Sequence, residues 1–522
     1  MADFMSALTK SVEALQPNVS VTENGAVGYK TTGKALVDLN FMLSSMRNME
    51  PDEIWSKFLL AYNENPVLAV VWLFFARDVR GGCGERRTFR IIFERFCREN
   101  DKMAVKLLPL LSFYGRWDDL VDVFCGNVPS DVRNKSFEVI RKQLYADIDC
   151  ECDGVPCSLL AKWLPSANTS SFETRQMAEK VRSALEWSPR MYRLVLSNLR
   201  RYIDVTERKM SANEWDKINY SAVPSRAAMN YRDAFSRHDG ERYEAYLEDV
   251  KEGKTSIHAG TLYPYDIVHA YGSGWCLGPV DETLEAQWKA LPNTVAENRS
   301  TLVVVDGSGS MGCTVGGSGV TCHDVANSLG IYFAEKLTGP YRDTFITFSS
   351  RPQLIRFDPG LSLNAKLEVL YEHDDCSNTD LEKTFDLILD VAVANHLKHE
   401  EIPANILIVS DMEFDSATVR GGYGYDYDYD KMRSHVGKKL FDAIRERWDA
   451  AGYKLPRLVF WNVCSRTGTI PVTTNELGVA LVSGFSPNVA DMVMSGELDP
   501  YKCLVDKLMS DRYEPVRQAL KE

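Results

Sequence analysis

Three segments far apart in the chain carry oxygen donors of the kind a hard cation takes. Asp306-Gly307-Ser308-Gly309-Ser310 is a D-x-S-x-S sequence, Ser377-Asn378-Thr379-Asp380 stands at a predicted helix start, and Ser410-Asp411 follows an apolar run. Carboxylates and hydroxyls suit magnesium, which wants an octahedron of oxygens and keeps several waters. Glycines at 307 and 309 let the first loop turn tightly, so that alternate side chains face one point. Two carboxylates at one point repel each other unless a cation lies between them. One D-x-S-x-S alone is better read as a helix-capping loop. With the matching Thr and Asp at the ends of the right elements, the set Asp306, Ser308, Ser310, Thr379 and Asp411 reads as a site for Mg2+, or for Mn2+ or Ca2+ in its place. Neither a nucleophile nor a general base accompanies it. His323 and His373 are near in sequence, but a lone surface histidine is the commoner case. The expectation is a binding device and not an enzyme.

The elements that must hold these loops follow from the apolar pattern. Thr301 to Val305 is a β-branched run ending in Asp306, and similar runs cover 344–348, 405–409, 458–463 and 478–482. Helical stretches fall between them, at 321–337, from Asp380 onward, and at 431–451. Strands alternating with helices predict a parallel sheet covered on both faces. Ligands in such sheets bind beyond the carboxyl ends of the strands, where both Asp306 and Asp411 stand. The loop 311–320 is long enough to cover or restrict the site.

From Ala35 to about Leu291 the period is helical, with apolar residues at three- and four-residue spacing, as in Phe58, Leu59 and Tyr62. Short helices with turns suggest stacked pairs, although no strict repeat is present. The chain is thus read as multidomain. Residues 1–35 are an N-terminal extension, 36–295 an all-α helical-repeat domain, 296–497 a doubly wound α/β domain, and 498–522 a helical tail.

The helical part also holds arginines in groups. Arg77, Arg80, Arg86, Arg87, Arg90, Arg95 and Arg98 face only Asp78, Glu85 and Glu94 in the same stretch, and Arg190, Arg193 and Arg200 share a helix face. Such stripes suit phosphates, which a guanidinium grips bidentately. A solvated, salt-bridged helix face explains them equally well. Trp117, Trp163 and Trp215 have the chemistry to stack on bases, but core positions are the commoner use. Net charge is −3 over residues 1–300 and −10 over the remainder, so the global field repels nucleic acid and any binding must be local.

Composition sets the remaining bounds. The chain has 522 residues with 45% hydrophobic and 25% charged side chains, the balance of a soluble chain of two or more domains. Its start, with Asp3 and no apolar run, does not read as a secretion signal. The most apolar stretch, 66–76, is too short to span a membrane and reads as a buried helix. The 12 cysteines are scattered, and Cys150, Cys152 and Cys157 do not have zinc spacing, so free thiols in a cytoplasmic protein are expected. The run 421–430, alternating Tyr and Asp after glycines, reads as a solvated loop with no assigned role.

The three-loop combination resembles the metal-ion-dependent adhesion site (MIDAS) of von Willebrand factor A (vWA) domains. That resemblance covers about Ser300 to Val482. It implies direct or water-bridged ligation by Asp306, Ser308 and Ser310, with Thr379 and Asp411 completing the set and a partner's carboxylate taking the open position. Five N-terminal segments carry a second resemblance: Arg77 to Arg87, Tyr114-Gly115-Arg116-Trp117-Asp118-Asp119-Leu120, Ala161-Lys162-Trp163-Leu164-Pro165-Ser166, Met210 to Trp215 and Asn219 to Ser225. In this order, ahead of a vWA-like part, they resemble the TROVE module of the Ro autoantigen proteins. A sister family of unknown function is more similar still, and Ser410-Asp411-Met412-Glu413-Phe414-Asp415 is also similar to it. The resemblance implies a ring of HEAT-like helix pairs that binds RNA with single-stranded ends, a ribonucleoprotein component. On that basis Arg77, Arg80, Arg86, Arg87, Lys162, Arg190, Arg193 and Arg200 are the residues expected to touch RNA. A metal-dependent protein adaptor without RNA is the alternative.

Overall fold

The computed structural model describes residues 18–272, 277–295, 300–348, 351–373, 380–415, 440–471, 479–490, 492 and 499–521. Its N-terminal part is helical. The helices Pro51–Glu64, Pro66–Arg77, Pro189–Tyr202 and Pro264–Tyr271 each begin with proline. In the first turn the missing N–H costs nothing and φ is already set. Asn65 and Ser188 cap two of them, accepting from Leu68 N at 3.0 Å and Met191 N at 3.1 Å. Pro66–Arg77 is buried continuously from Leu68 to Arg77. It is the core helix expected of a segment apolar on every side, and Pro51–Glu64 and Arg86–Glu99 pack against it. The longest helices, Ser130–Asp153 and Ser225–Lys251, lie further along, the second kinked at Asp239. Among the described residues no helix is long and apolar enough to cross a membrane.

The strands are β1 (Ser20–Val21), β2 (Val27–Gly28), β3 (Thr301–Asp306), β4 (Thr344–Phe348), β5 (Gln353–Arg356), β6 (Asn405–Ser410), β7 (Arg457–Asn462) and β8 (Val479–Ser483). The first two form a small antiparallel hairpin of their own. The other six form one sheet in the order β5-β4-β3-β6-β7-β8. Its neighbours are parallel except β4 and β5, so the parallel sheet expected from the sequence is in fact mixed. The edge strand escaped the sequence pattern because it has four residues and buries only Ile355.

All residues of β3, β4, β6, β7 and β8 are buried, which is why each reads as an unbroken apolar run. Successive side chains still divide between two cores. Val303, Val305, Leu407, Val409 and Trp461 share one with the helix Cys322–Lys336 and with the helical part of the chain. Val304, Ile406, Ile408 and Phe460 share the other with Leu381–Ala394 and with Phe441, Ile444 and Trp448 of Leu440–Ala450. The helix Cys322–Lys336 crosses β3 very closely. A Cβ on Gly330 would stand 2.6 Å from Val305 Cγ2, so only glycine permits the approach.

The chain ends cross over between the two parts. Tyr29, just after β2, exchanges backbone hydrogen bonds with Ile470 at 2.8 and 2.9 Å, and the Thr22 hydroxyl donates to Phe414 O at 2.6 Å. The hairpin therefore sits on the α/β part. The C-terminal helices Pro500–Leu508 and Glu514–Lys521 pack on Pro66–Arg77 in the helical part, and the first also reaches β8. Asp78, fully buried, fastens this second contact: it accepts from Arg512 Nη2 at 2.7 Å, the Tyr513 hydroxyl at 3.1 Å, and the backbone N–H groups of Arg80 and Gly81 at 3.0 and 3.2 Å. Asp78→Ala strands all of these donors. It should cost about 2–4 kcal/mol in urea unfolding, and expose the C-terminal helices first to limited proteolysis. An unchanged midpoint would mean that the tail docks by apolar packing alone.

Candidate metal centre

β3 and β6 are neighbours at the middle of the sheet, and the chain builds outward from them in opposite directions, to β4 and β5 on one side and to β7 and β8 on the other. A crevice opens at the carboxyl ends of such a pair, where open α/β sheets bind ligands. The register Val305↔Val409 sets Asp306 beside Ser410 and brings Asp411 one residue beyond. Asp306 and Ser308 are each 1% exposed and Asp411 is 0% exposed, whereas Ser310 is half-buried next to exposed Gly309.

Hydrogen bonds tie the first and third segments together. Asp306 Oδ1 accepts from Ser308 N at 3.0 Å, and Oδ2 accepts from the Ser410 hydroxyl at 2.5 Å. The hydroxyls of Ser308 and Ser310 are 2.9 Å apart, and that of Ser310 also bonds to Asp411. Burial, reinforced by the neighbouring Asp411 charge, pushes the Asp306 carboxyl up to about 7. Burial also raises Asp411, against the pull of Arg466. Four of the five residues assigned to the metal thus converge. Thr379, with Ser377 and Asn378, lies outside the described residues, as does the Tyr/Asp run 421–430.

Met412 holds the turn that aims Asp411. It takes φ of 65°, a left-handed conformation that costs a non-glycine residue about 1–3 kcal/mol. The turn is secured by Met412 N donating to the Ser410 hydroxyl at 2.9 Å and Glu413 N donating to Asp411 Oδ1 at 3.2 Å.

Several residues at the crevice were not singled out in the sequence. Glu413 is 0% exposed and accepts from the backbone N–H groups of Glu23, Arg466 and Thr467 at 2.8, 2.8 and 2.9 Å. It joins the β1–β2 turn to the loop after β7. That loop delivers Arg466, whose Nη1 lies 3.1 Å from Asp411 Oδ2. His323 is no isolated surface histidine: its Nε2 stands 3.1 Å from Ser308 O. Cys313, Cys322 and Cys464, scattered in sequence, gather here as free thiols. The hydrogen bond between the Cys322 and Cys464 thiols, together with burial, raises the first, and the same bond lowers the second. The one legible signal was Glu413, an acid between apolar Met412 and Phe414 directly after a buried strand.

The donor set suits a small hard ion, being all oxygen and including two carboxylates that raise each other's demand for positive charge. Among the described residues no group of three or more His, Cys, Asp and Glu side chains is arranged to hold a metal. The set here consists of two carboxylates and two hydroxyls. The loop 311–320 folds on itself, with Val315 N donating to Val320 O at 2.8 Å, and docks on Asn48, whose Oδ1 accepts from Gly316 N at 2.7 Å.

The residues assigned to RNA divide into two groups. Arg77 is 2% exposed and its guanidinium is paired with Asp119 at 2.7 Å, so it is a core ion pair. Arg200 turns inward and donates to Ala161 O, Leu164 O and Ser166 Oγ at 2.7–2.9 Å, clamping the short helix Leu160–Trp163 and the residues that follow it. Arg87 donates to Met46 O and Met49 O, both at 2.9 Å, and Lys162 lies 3.8 Å from Glu207. Arg86 stands 3.9 Å from Asp118 but remains exposed. Arg80, Arg190 and Arg193 are exposed as well. Trp117, Trp163 and Trp215 are half-buried. Arg116 lies over Trp163 at 4.8 Å, and Trp215 stacks on His238 at 4.4 Å.

Residues 300–514 match a family model described as a domain of unknown function (DUF7788), and residues 156–301 match a second, also described as a domain of unknown function (DUF2828). The chain is also similar along nearly its whole length to an uncharacterized protein of Acanthamoeba polyphaga mimivirus. The two are 29% identical over 536 residues, covering 96% of this chain and 89% of the viral one. The boundary between the two matched models, at 300–301, coincides with the start of β3.

The raised Asp306 carboxyl has a direct consequence. Its charged form is less favourable in the folded chain than in the unfolded one. Without metal, stability is therefore lost as pH rises from about 4 to about 7. Asp306→Asn removes that dependence, so in EDTA the variant should gain on wild type as pH rises, with a larger melting advantage at pH 8 than at pH 5. Equal melting differences at the two pH values would show that Asp306 does not carry this buried charge.

Proposed function

We propose that the protein is a non-enzymatic scaffold whose α/β part is a vWA domain with a MIDAS-type site. In this reading Asp306, Ser308, Ser310 and Asp411, with Thr379, hold Mg2+, and the ion's open position takes a carboxylate from a protein partner. The observation that carries the reading is the burial of Asp306 and Asp411 side by side, with two serine hydroxyls, at the carboxyl ends of the two central strands. The strand order, with its single antiparallel edge strand, supports it. The helical part is then the HEAT-like, TROVE-like module, joined to the vWA part at both chain ends. A partner captured by the purified protein in Mg2+ should be released by EDTA and lost in Asp411→Ala while the fold survives. Capture that is indifferent to both would overturn the adaptor reading. Turnover of RNA or nucleotides that disappears in Asp411→Ala would overturn the non-enzymatic one.

RNA binding is the second reading, favoured by Arg190 and Arg193. Both are exposed on the helix Pro189–Tyr202, and neither has an acidic partner among the described residues. Arg80 and Arg86 are exposed as well, and a guanidinium free of acids suits phosphates despite the chain's acidity. Arg190→Glu with Arg193→Glu should weaken binding of an RNA with a single-stranded tail. The log–log salt dependence should flatten by roughly one unit per lost phosphate contact. Fluorescence anisotropy across a salt series measures both. An absence of binding by wild type even at low salt sinks this reading and leaves the adaptor.

A further inference from the structure

Arg466 stands where the carboxylates of the crevice demand positive charge. Its Nη1 lies 3.1 Å from Asp411 Oδ2, 3.4 Å from Ser310 O and 3.3 Å from Cys313 Sγ. Its Nε lies 2.7 Å from Glu23 Oε2, so the guanidinium bridges a buried site carboxylate and a half-exposed one in the β1–β2 turn. The approach is not left to a mobile side chain alone. Glu413 fixes the backbone on both sides by accepting from Arg466 N and Glu23 N, and Asn24 Nδ2 donates to Glu413 O at 2.6 Å. Asp411 Oδ1 accepts from Glu413 N, and Arg466 lies against Oδ2, where it meets any cation that binds this carboxylate.

We propose that Arg466 is a tethered counter-cation that competes with the divalent ion for Asp411, so that the Arg466–Glu23 pair sets how tightly the centre binds metal. This rests on the metal reading given above. A divalent ion and a guanidinium at one carboxylate oxygen repel, and whichever is bound raises the cost of the other. When the ion enters, Glu23 offers the displaced guanidinium a second carboxylate close by. Metal loading is thereby linked to the β1–β2 hairpin, a segment nearly 400 residues away in sequence but held against the crevice by hydrogen bonds at Thr22, Glu23, Asn24 and Ala26.

The test is Mn2+ binding to the full chain, followed by electron paramagnetic resonance of the free ion and by melting in EDTA and in excess Mn2+. Removal of the competitor in Arg466→Gln should tighten Mn2+ binding by roughly tenfold or more. The same variant should melt below wild type in EDTA, because buried Asp411 has lost its counter-charge, and should gain more from Mn2+ than wild type does. Arg466→Lys keeps the charge and should stay near wild type in affinity. Wild-type binding that Arg466→Gln leaves unchanged or weakens would overturn the proposal and leave the metal site standing. Tightening by Arg466→Lys equal to that by Arg466→Gln would also overturn it, because charge competition would then not be the cause. If neither wild type nor Arg466→Gln binds Mn2+ at millimolar concentration, the metal reading itself falls and this proposal falls with it.

Discussion

Two carboxylates brought out of water side by side are the constraint around which the α/β part is arranged. Asp306 and Asp411 are almost wholly buried at adjacent strand ends, and the Asp411 charge adds to the cost of ionising Asp306. A fold meets such a cost by protonation, by hydrogen bonds, or by a cation. All three devices are visible around the crevice. One carboxyl is raised to about 7, the hydroxyls of Ser410, Ser308 and Ser310 are turned toward the pair, and a guanidinium is held against Asp411. Apolar residues of the same volume would avoid the cost of burying such a pair.

The surroundings of the pair draw on the whole chain. The β1–β2 turn supplies Glu23, the loop after β7 supplies Arg466, and Glu413 joins them from the same turn that aims Asp411. On the other side His323 and the thiols of Cys313 and Cys322 lie on the loop and helix that follow Ser310. The helical part reaches the same region through Asn48, which holds both Gly316 and Cys464. Asp78 binds the C-terminal Arg512 and Tyr513 to the end of the helix Pro66–Arg77, buried from Leu68 onward. Each end of the chain thus reaches the part more distant from it in sequence, in addition to the direct packing of Pro264–Tyr271 on Cys322–Lys336.

The arginine-rich segments show why charge spacing is a weak guide to function. Seven arginines between 77 and 98 outnumber the three acids within that stretch, but packing brings four more acids from elsewhere. Asp119 pairs with both Arg77 and Arg90, Asp118 and Asp122 also reach Arg90, and Asp52 pairs with Arg95. Arg200 is spent on three acceptors between Ala161 and Ser166. The guanidiniums left over include Arg190 and Arg193, which have no acidic partner among the described residues.

The sequence by itself was enough to divide the chain near residue 300, to separate a helical from an α/β part, and to find five of the six strands of the main sheet. Those features rest on local periodicity and on β-branched runs, which are encoded residue by residue. It also marked Asp306, Ser308, Ser310 and Asp411, because a strand end followed by a tight Gly/Ser loop limits where those oxygens can point. Tertiary structure decided what no local pattern holds. The edge strand β5 takes its direction from pairing with β4, and one buried residue in four leaves no periodic trace. Arg466, Glu23 and Glu413 converge across some 440 residues of chain, and the burial of Arg77 depends on Asp119, which lies on a different helix. Charges act through space at a few ångströms, so which of them meet is settled only when the sheet order and the docking of the chain ends set those distances.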